Sequence, residues 1–309
     1  MSVEQDLEAY LSKLDAPYAN SKLAVACSAG IDSLVLLRAL QNFSANLYCL
    51  HLDHALRSDS HLAREFLDDY CKSHKIHFIV KELKPGDLQA NEKSARDARY
   101  AFFIEACLQA GIKDLFLAHN LNDQAETILF RIFRGTNTAG LQGIPSSREL
   151  SPQLTIHRPL LQTPRQVIKE YAHSNQLNFI EDSSNEDIRY SRNRIRKRIL
   201  PEAEIINAQY LNNIQTLSEL INEEQDFFSD CVDEALKKLG DLPWPLEIFK
   251  TFKRSIQRKI LEKFFTTNIS FVNDFLEAIT QGGFHRINFS KDKYFTIKQK
   301  QIHLELSTC

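Results

Sequence analysis

The sequence predicts an α/β protein: a parallel sheet with helices on both faces, followed by a smaller helical domain that ends in a short β-meander. Three observations carry this. Between Lys22 and Ile180, short apolar runs (Leu23–Cys27, Leu47–Leu52, Ile76–Val80, Leu115–Ala118) alternate with helical patterns such as Ser33–Leu40, Leu62–Cys71 and Ala95–Leu108. Strands alternating with helices imply βαβ crossovers, and hence a sheet buried on both faces. After Pro201 the pattern changes to one long helix, Leu211–Leu239, with Ile214, Leu217, Ile221, Phe228, Val232 and Leu236 along one stripe. Two shorter helical patterns follow, Ile256–Phe265 and Phe271–Ile279. Gly282-Gly283 breaks the chain before a tail of alternating segments, Arg286–Phe289, Tyr294–Lys298 and Ile302–Leu306. A single core stops growing near ~250–300 residues, so the reading places a larger domain over residues 1–205 and a smaller one over 206–309.

Composition narrows the class without naming a ligand. With 43% hydrophobic and 25% charged residues and a formal net charge of -2, the chain as a whole offers no polyanion-binding field. Contact with nucleic acid would need a local basic patch. Met1–Tyr10 has acidic residues and no apolar stretch, so no secretory signal is expected there, and no apolar run approaches the ~18 residues of a membrane span. The six cysteines form no Cys-x-x-Cys pair. This spacing points to a reducing, cytoplasmic setting and argues against a zinc ribbon or an iron-sulfur site. The sequence leaves oligomeric state open, a homodimer included.

In a parallel sheet, chemistry belongs where strands end. The first apolar run leads into Ser28-Ala29-Gly30-Ile31-Asp32-Ser33 and then a helix, a small-residue turn whose backbone N–H groups and helix dipole converge on an anion. The Ser28 and Ser33 hydroxyls can donate to phosphate oxygens. Asp32 would repel a bare phosphate, which suggests a bridging Mg²⁺. Without a ligand, the same residues read as a capped turn. The second run ends in His51-Leu52-Asp53-His54-Ala55-Leu56-Arg57, where a His-x-x-His pair lacks a nearby third metal ligand.

The fourth run ends in Ala118-His119-Asn120-Leu121-Asn122-Asp123-Gln124-Ala125-Glu126-Thr127. With Asn122 as the helix cap, Asp123 and Glu126 fall one helical step apart in the first turn. His119 on the strand tip then faces a carboxylate, an arrangement suited to proton transfer. The alternative reading makes these residues only a helix start. Farther on, Arg189-Tyr190-Ser191-Arg192-Asn193-Arg194-Ile195-Arg196-Lys197-Arg198-Ile199-Leu200 holds six cations and no acid, closed by Pro201. As a helix, Ile195 and Ile199 mark its buried side, flanked by Arg192 and Arg196. Arg194, Lys197 and Arg198 face away, either solvated or against a polyanion.

Taken in order, these motifs resemble those of the tRNA(Ile)-lysidine synthetases, enzymes of the PP-loop ATP pyrophosphatase superfamily with an adenine nucleotide α-hydrolase-like fold. The family's Ser-Gly-Gly-x-Asp-Ser looks like Ser28–Ser33, with Ala29 for the first glycine and its methyl near the expected phosphate path. His51–Arg57, Ala95-Arg96-Asp97-Ala98-Arg99-Tyr100, Ala118–Thr127, Arg134-Gly135 and Arg192-Asn193-Arg194-Ile195-Arg196 follow in the family's order, covering about residues 20 to 202. Asn120 and Asn122 depart from a His and an Asp, so the resemblance carries no role to either. It implies ATP and Mg²⁺ over residues 28–33, with Asp32 meeting the metal through the phosphates and His54 and Arg57 beside the nucleotide. It implies catalytic work for Asp32, His119 and Asp123. Substrate contacts would come from Arg96, Arg99, Glu126, Arg134, Arg192, Asn193, Arg194, Arg196, Lys197 and Arg198. The implied reaction adenylates the wobble cytidine of an isoleucine tRNA with a CAU anticodon and couples L-lysine to it. The rivals are a PP-loop tRNA thiolase and a non-catalytic RNA- or nucleotide-binding protein.

Overall fold

The computed structural model describes residues 2–14, 18–53, 60–83, 92–180, 191–263, 269–281, 286–288 and 293–306. His54, Arg57, Arg189 and Gly282-Gly283 lie outside them. Ser2 opens α1 (Val3–Leu11) with a reciprocal capping box to Gln5. There follow β1 (Leu23–Ala26), α2 (Ile31–Leu40), β2 (Leu47–Asp53), α3 (Ser60–His74), β3 (His77–Glu82), α4 (Glu92–Ala110), β4 (Asp114–Phe116) and α5 (Leu121–Arg134). A hairpin, β5 (Ser147–Ser151) and β6 (Leu154–His157), and then α6 (Arg165–Ser174) complete the layer.

The strands order as β3-β2-β1-β4-β6-β5. All neighbours run parallel except β5 against β6. Apolar side chains of α1, α2, α3 and α6 pack into one core cluster (Leu7, Leu36, Leu67, Ile168). Those of α4 pack into a second (Phe102, Phe103) with Leu50, Leu115 and Ile156, as a sheet covered on both faces requires. Chain order reverses between β1 and β4, opening a crevice at their carboxyl ends.

The basic segment forms α7 (Ser191–Arg194), one π-helical turn (Ile195–Ile199) and α8 (Leu200–Ile206). Pro201 therefore does not close the helix as expected. It sits in the first turn of α8, where its missing N–H is not needed, and the turn before it is widened. Ile195 and Leu200 pack against Ala125 of α5. The long helix is α9 (Tyr210–Leu239), followed by β7 (Trp244–Pro245), α10 (Leu246–Thr251), α11 (Arg254–Glu262), α12 (Ile269–Gln281), β8 (Arg286–Asn288), β9 (Lys293–Lys298) and β10 (Gln301–Leu306). These last strands form an antiparallel sheet, β7-β10-β9-β8, over a core of Trp244, Phe249, Phe275 and Phe295. The chain divides into two compact units, Met1–Gly135 with Gly140–Ser218, and Thr136–Ala139 with Glu219–Cys309. Among the described residues, no helix is long and apolar enough to cross a membrane.

Gln124 of α5 fixes the loop that leads to β5. Its amide donates to the Gln142 carbonyl (3.2 Å) and to Ser218 Oγ (3.2 Å), and its oxygen accepts the Ile144 N–H (2.5 Å). Gly143 passes over it at φ +72°, and a Cβ there would overlap the Gln124 carboxamide. Gly143→Ala is expected to cost about 2–4 kcal/mol, from left-handed strain plus displaced buried hydrogen bonds. Urea unfolding checks this; an unchanged midpoint rules the clamp out.

Candidate active site

The turn after β1 is closed by its own side chains. Ser33, buried in the first turn of α2, donates its hydroxyl to the Gly30 carbonyl (2.9 Å) and accepts the Ser28 N–H (3.2 Å). Gly30 is the helix N-cap and offers no side-chain cap. The first N–H groups of α2, Ile31 onward, thus lack the usual side-chain acceptor, which is the condition for an anion site. Ala29 stands at φ 63°, which for an L-residue costs about 1–2 kcal/mol. Its methyl does not border the phosphate path as expected. It is fully buried in the core beneath the turn, and that burial offsets about 0.8 kcal/mol of the strain.

Across the crevice, the cap of α5 is Asn120 rather than Asn122. The Asn120 side-chain oxygen accepts the N–H groups of Asn122 (3.0 Å) and Asp123 (3.2 Å), while Asp123 Oδ2 accepts the Asn120 N–H (3.0 Å). The amide nitrogen of Asn120 donates to Asp32 Oδ1 (3.1 Å). This one residue therefore ties the phosphate turn to α5. Asn122 also has a place, accepting the Arg165 N–H at the start of α6 (2.9 Å). Both asparagines, given no role above, are structural connectors.

Asp123 and Glu126 face a single guanidinium. Arg196 Nε donates to Glu126 Oε1 (2.5 Å), and its terminal nitrogen reaches Glu126 Oε2 (3.0 Å) and Asp123 Oδ1 (3.2 Å). The π-helical turn aims Arg196 inward, while Arg194 and Arg198 stay exposed and Lys197 is half-buried. Burial raises the Asp32, Asp123 and Glu126 carboxyls above their ordinary range, against the pull of Arg165 and Arg196. Asn122, Glu126, Arg165, Arg196, Glu204 and Tyr210 border one cleft here.

Among the described residues, the partner of His119 is an arginine and not the expected carboxylate. Its Nδ1 accepts from Arg158 Nε (3.2 Å), and Arg158 also donates to the Pro145 carbonyl (2.8 Å). Burial first, then the charges of Arg158, Arg192, Arg99 and Arg96, hold the imidazole down at about 4. At neutral pH the ring is uncharged with its proton on Nε2, a donor rather than a base. A depressed base makes the native state lose stability as pH falls from 6.5 toward 4, by up to about 1.4 kcal/mol per pH unit. His119→Gln is expected to flatten that fall in urea midpoints measured between pH 7 and 4.5. An equal slope in both proteins refutes the neutral assignment.

Several arginines lie against aromatic rings: Arg96 and Arg148 over Tyr100, and Arg192 and Arg134 over Phe130. The charges of Arg96, Arg99 and Arg192 reach His119 although all three side chains are exposed, so Arg192 does not turn inward as expected, whereas Arg196 sits with the carboxylates. Arg134 stays exposed at the end of α5, and Asn193 is half-buried in α7. His51 donates Nδ1–H to the Cys27 carbonyl (2.8 Å) and is kept neutral by burial. The reading from sequence missed Arg158 and Arg165. A signal existed in the short Leu154–His157 run, whose carboxyl end is where chemistry is sought.

A phosphate-ready turn and a carboxylate cluster at the switch point of a doubly wound sheet define a nucleotide-binding α/β protein. Residues 3–203 match the PP-loop domain family, and the chain belongs to it. It is 36% identical over 197 residues to a tRNA(Ile)-lysidine synthase of Staphylococcus epidermidis, covering 61% of this chain and 45% of that protein. It is 30% identical over 263 residues to the tRNA(Ile)-lysidine synthase of Francisella philomiragia, covering 84% of this chain and 66% of that one. The chain thus spans between 45% and 66% of the length of these two relatives. Among solved structures, the U34-tRNA thiolase NcsA from Methanococcus maripaludis with its 4Fe-4S cluster shares the fold, with a TM-score of 0.60 at 16% identity over 71% of this chain and 77% of that one.

Proposed function

We propose that this chain forms lysidine on an isoleucine tRNA with a CAU anticodon, using ATP and L-lysine and releasing AMP and pyrophosphate. The observation that carries this is the Asp32–Asn120–Asp123 bridge, which sets a group of carboxylates directly beside the phosphate turn. Such a cluster would attract an amine that arrives as a cation and can hold it, once it has lost a proton, next to a bound triphosphate. The named relatives support the same choice.

In this reading the turn at residues 28–33 holds the ATP phosphates by its free N–H groups. Asp32, the carboxylate within the turn itself, would serve as protein ligand to a Mg²⁺ that accompanies the phosphates, and the ion would supply charge neutralisation there. The cytidine carbonyl oxygen attacks the α-phosphorus and pyrophosphate leaves. The lysine side-chain amine then attacks the same ring carbon, AMP leaves, and a base takes the amine proton. Asp123, raised by burial and oriented by Asn120 and Arg196, suits that base. His119, as an Nε2–H donor among arginines, suits an anionic oxygen instead. Arg96, Arg99, Arg192 and the exposed Arg194 and Arg198 would meet RNA phosphates, in a cytoplasmic setting.

The thiolase reading fits less well. A hydrogen bond to Cys27 pushes the Cys49 thiol up, one to Cys49 does the same to Cys71, and burial holds Cys107 at about 12, so these are poor thiolates. Incubation with ATP, the tRNA and labelled lysine is the test. Lysine- and ATP-dependent label in tRNA is expected; its absence, or sulfur transfer instead, overturns the reading.

A further inference from the structure

Arg165 is the cation of the cleft whose hydrogen bonding is unfinished. It occupies the first position of α6, held there by its backbone N–H to Asn122. Among the described residues, its buried Nε has no partner. Its terminal nitrogen stops 3.8 Å from Asp32 Oδ2, beyond hydrogen-bond reach. Arg196, on the same cleft, is by contrast engaged at three oxygens. A guanidinium with a free edge presents two parallel N–H groups, the match for a carboxylate. A cation in the first turn of a helix also opposes the helix dipole, and an anion there would cancel the opposition.

The surroundings select which anion. Among the described residues, Glu126 and Glu204 line the cleft with Arg165 and Arg196, and Asp32 and Asp123 stand within ion-pair distance of those two guanidinium groups. Four acids then face two cations, so a phosphate dianion arriving without a metal ion would be repelled. A ligand with a single carboxylate and more than one amine would not, since its amines answer the acids.

Resting on the reading above, we propose that Arg165 receives the α-carboxylate of the incoming amino acid, leaving its amines to the acidic side chains. Arg165 would then be a substrate-binding residue that selects a free amino acid over amines without a carboxylate.

The test pairs the residue with the group it is said to bind. Label transfer to tRNA is measured with lysine and with lysine amide, for the unaltered protein, Arg165→Gln and Arg165→Lys. The unaltered protein is expected to prefer lysine by about tenfold to a hundredfold in kcat/KM, the scale of a charged hydrogen-bonded pair. Arg165→Gln should lose that factor against lysine and little against the amide, and Arg165→Lys should recover part of it. Because Arg165 also stands near Asp32, the KM for ATP should move far less than the KM for lysine. Equal losses on both amine substrates would make Arg165 merely structural, and a KM for ATP raised as much as that for lysine would make it a phosphate ligand; either overturns the proposal. Calorimetric titration of the same proteins with lysine and lysine amide separates this from the parent reading. If no protein labels tRNA, lysidine formation fails, while the preference in binding, and its loss in Arg165→Gln, still decides the role of Arg165.

Discussion

Asp32→Asn is expected to lower pyrophosphate release by about a hundredfold to a thousandfold while leaving the folded protein at least as stable at neutral pH. The two halves of this result have one cause. Asparagine keeps the size of the side chain and an oxygen to accept the Asn120 amide, so the bridge across the crevice survives. What goes is a negative charge that the proposed Mg²⁺ needs; losing such stabilisation, several kcal/mol, slows a step by that order. Burial, and then Asp123 nearby, raise the Asp32 carboxyl above its ordinary value. A folded-state value above the unfolded one favours the native state below the unfolded value, and that advantage is lost as pH rises through the folded value. At pH 7 the ionised carboxylate is therefore a burden on the fold that asparagine removes, and the gain should vanish in acid. Pyrophosphate release and urea midpoints at pH 7 and pH 4 measure both. Near-normal turnover would remove Asp32 from the reaction, and a large loss of stability would make it a structural residue.

The central strands of the large sheet were legible because the sheet buries them, and α9, α12 and the closing strands were legible from their apolar patterns. β1, β2 and β4 read as apolar runs because both their faces are covered, and the phosphate turn follows β1 without a break. The hairpin was not legible: Ser147–Arg148–Glu149 are exposed at the sheet edge, so no alternation marks them. Arg158 and Arg165 leave from that hairpin and from the helix after it, outside every recognised motif. Asn120 looked like a departure because its partner is 88 positions away in sequence, and only the folded crevice brings the two together. Arg196 was legible as an inward residue, but Arg192, expected beside it at a spacing of four, stays exposed; the π-helical turn that aims Arg196 was not legible, since it answers a proline five residues on by widening the backbone.

Arg196→Met tests the centre of the site. Arg196 is the shared partner of Glu126 and Asp123, with side-chain exposures of 27%, 5% and 24% respectively. Removing one member of a buried ion pair costs about 3–5 kcal/mol because the other is left charged and unpaired; with a quarter of Arg196 in solvent, about 2–4 is expected. Lysine transfer should fall at least about a hundredfold, as the carboxylates lose their orientation. The pH dependence gives the cause. Burial already raises both acids and Arg196 pulls them down, so the variant lifts them further. Stability then returns as pH falls and the acids take up protons, and the gap between variant and parent should narrow from pH 8 to pH 5. Adding Glu126→Gln removes most of the unpaired charge, so the double variant should be more stable than Arg196→Met alone, a clear failure of additivity. Urea unfolding across pH, on both single variants and the double, is the measurement. A gap that stays constant with pH, with costs that simply add, would mean that Arg196 acts through packing and that the cluster carries no buried charge.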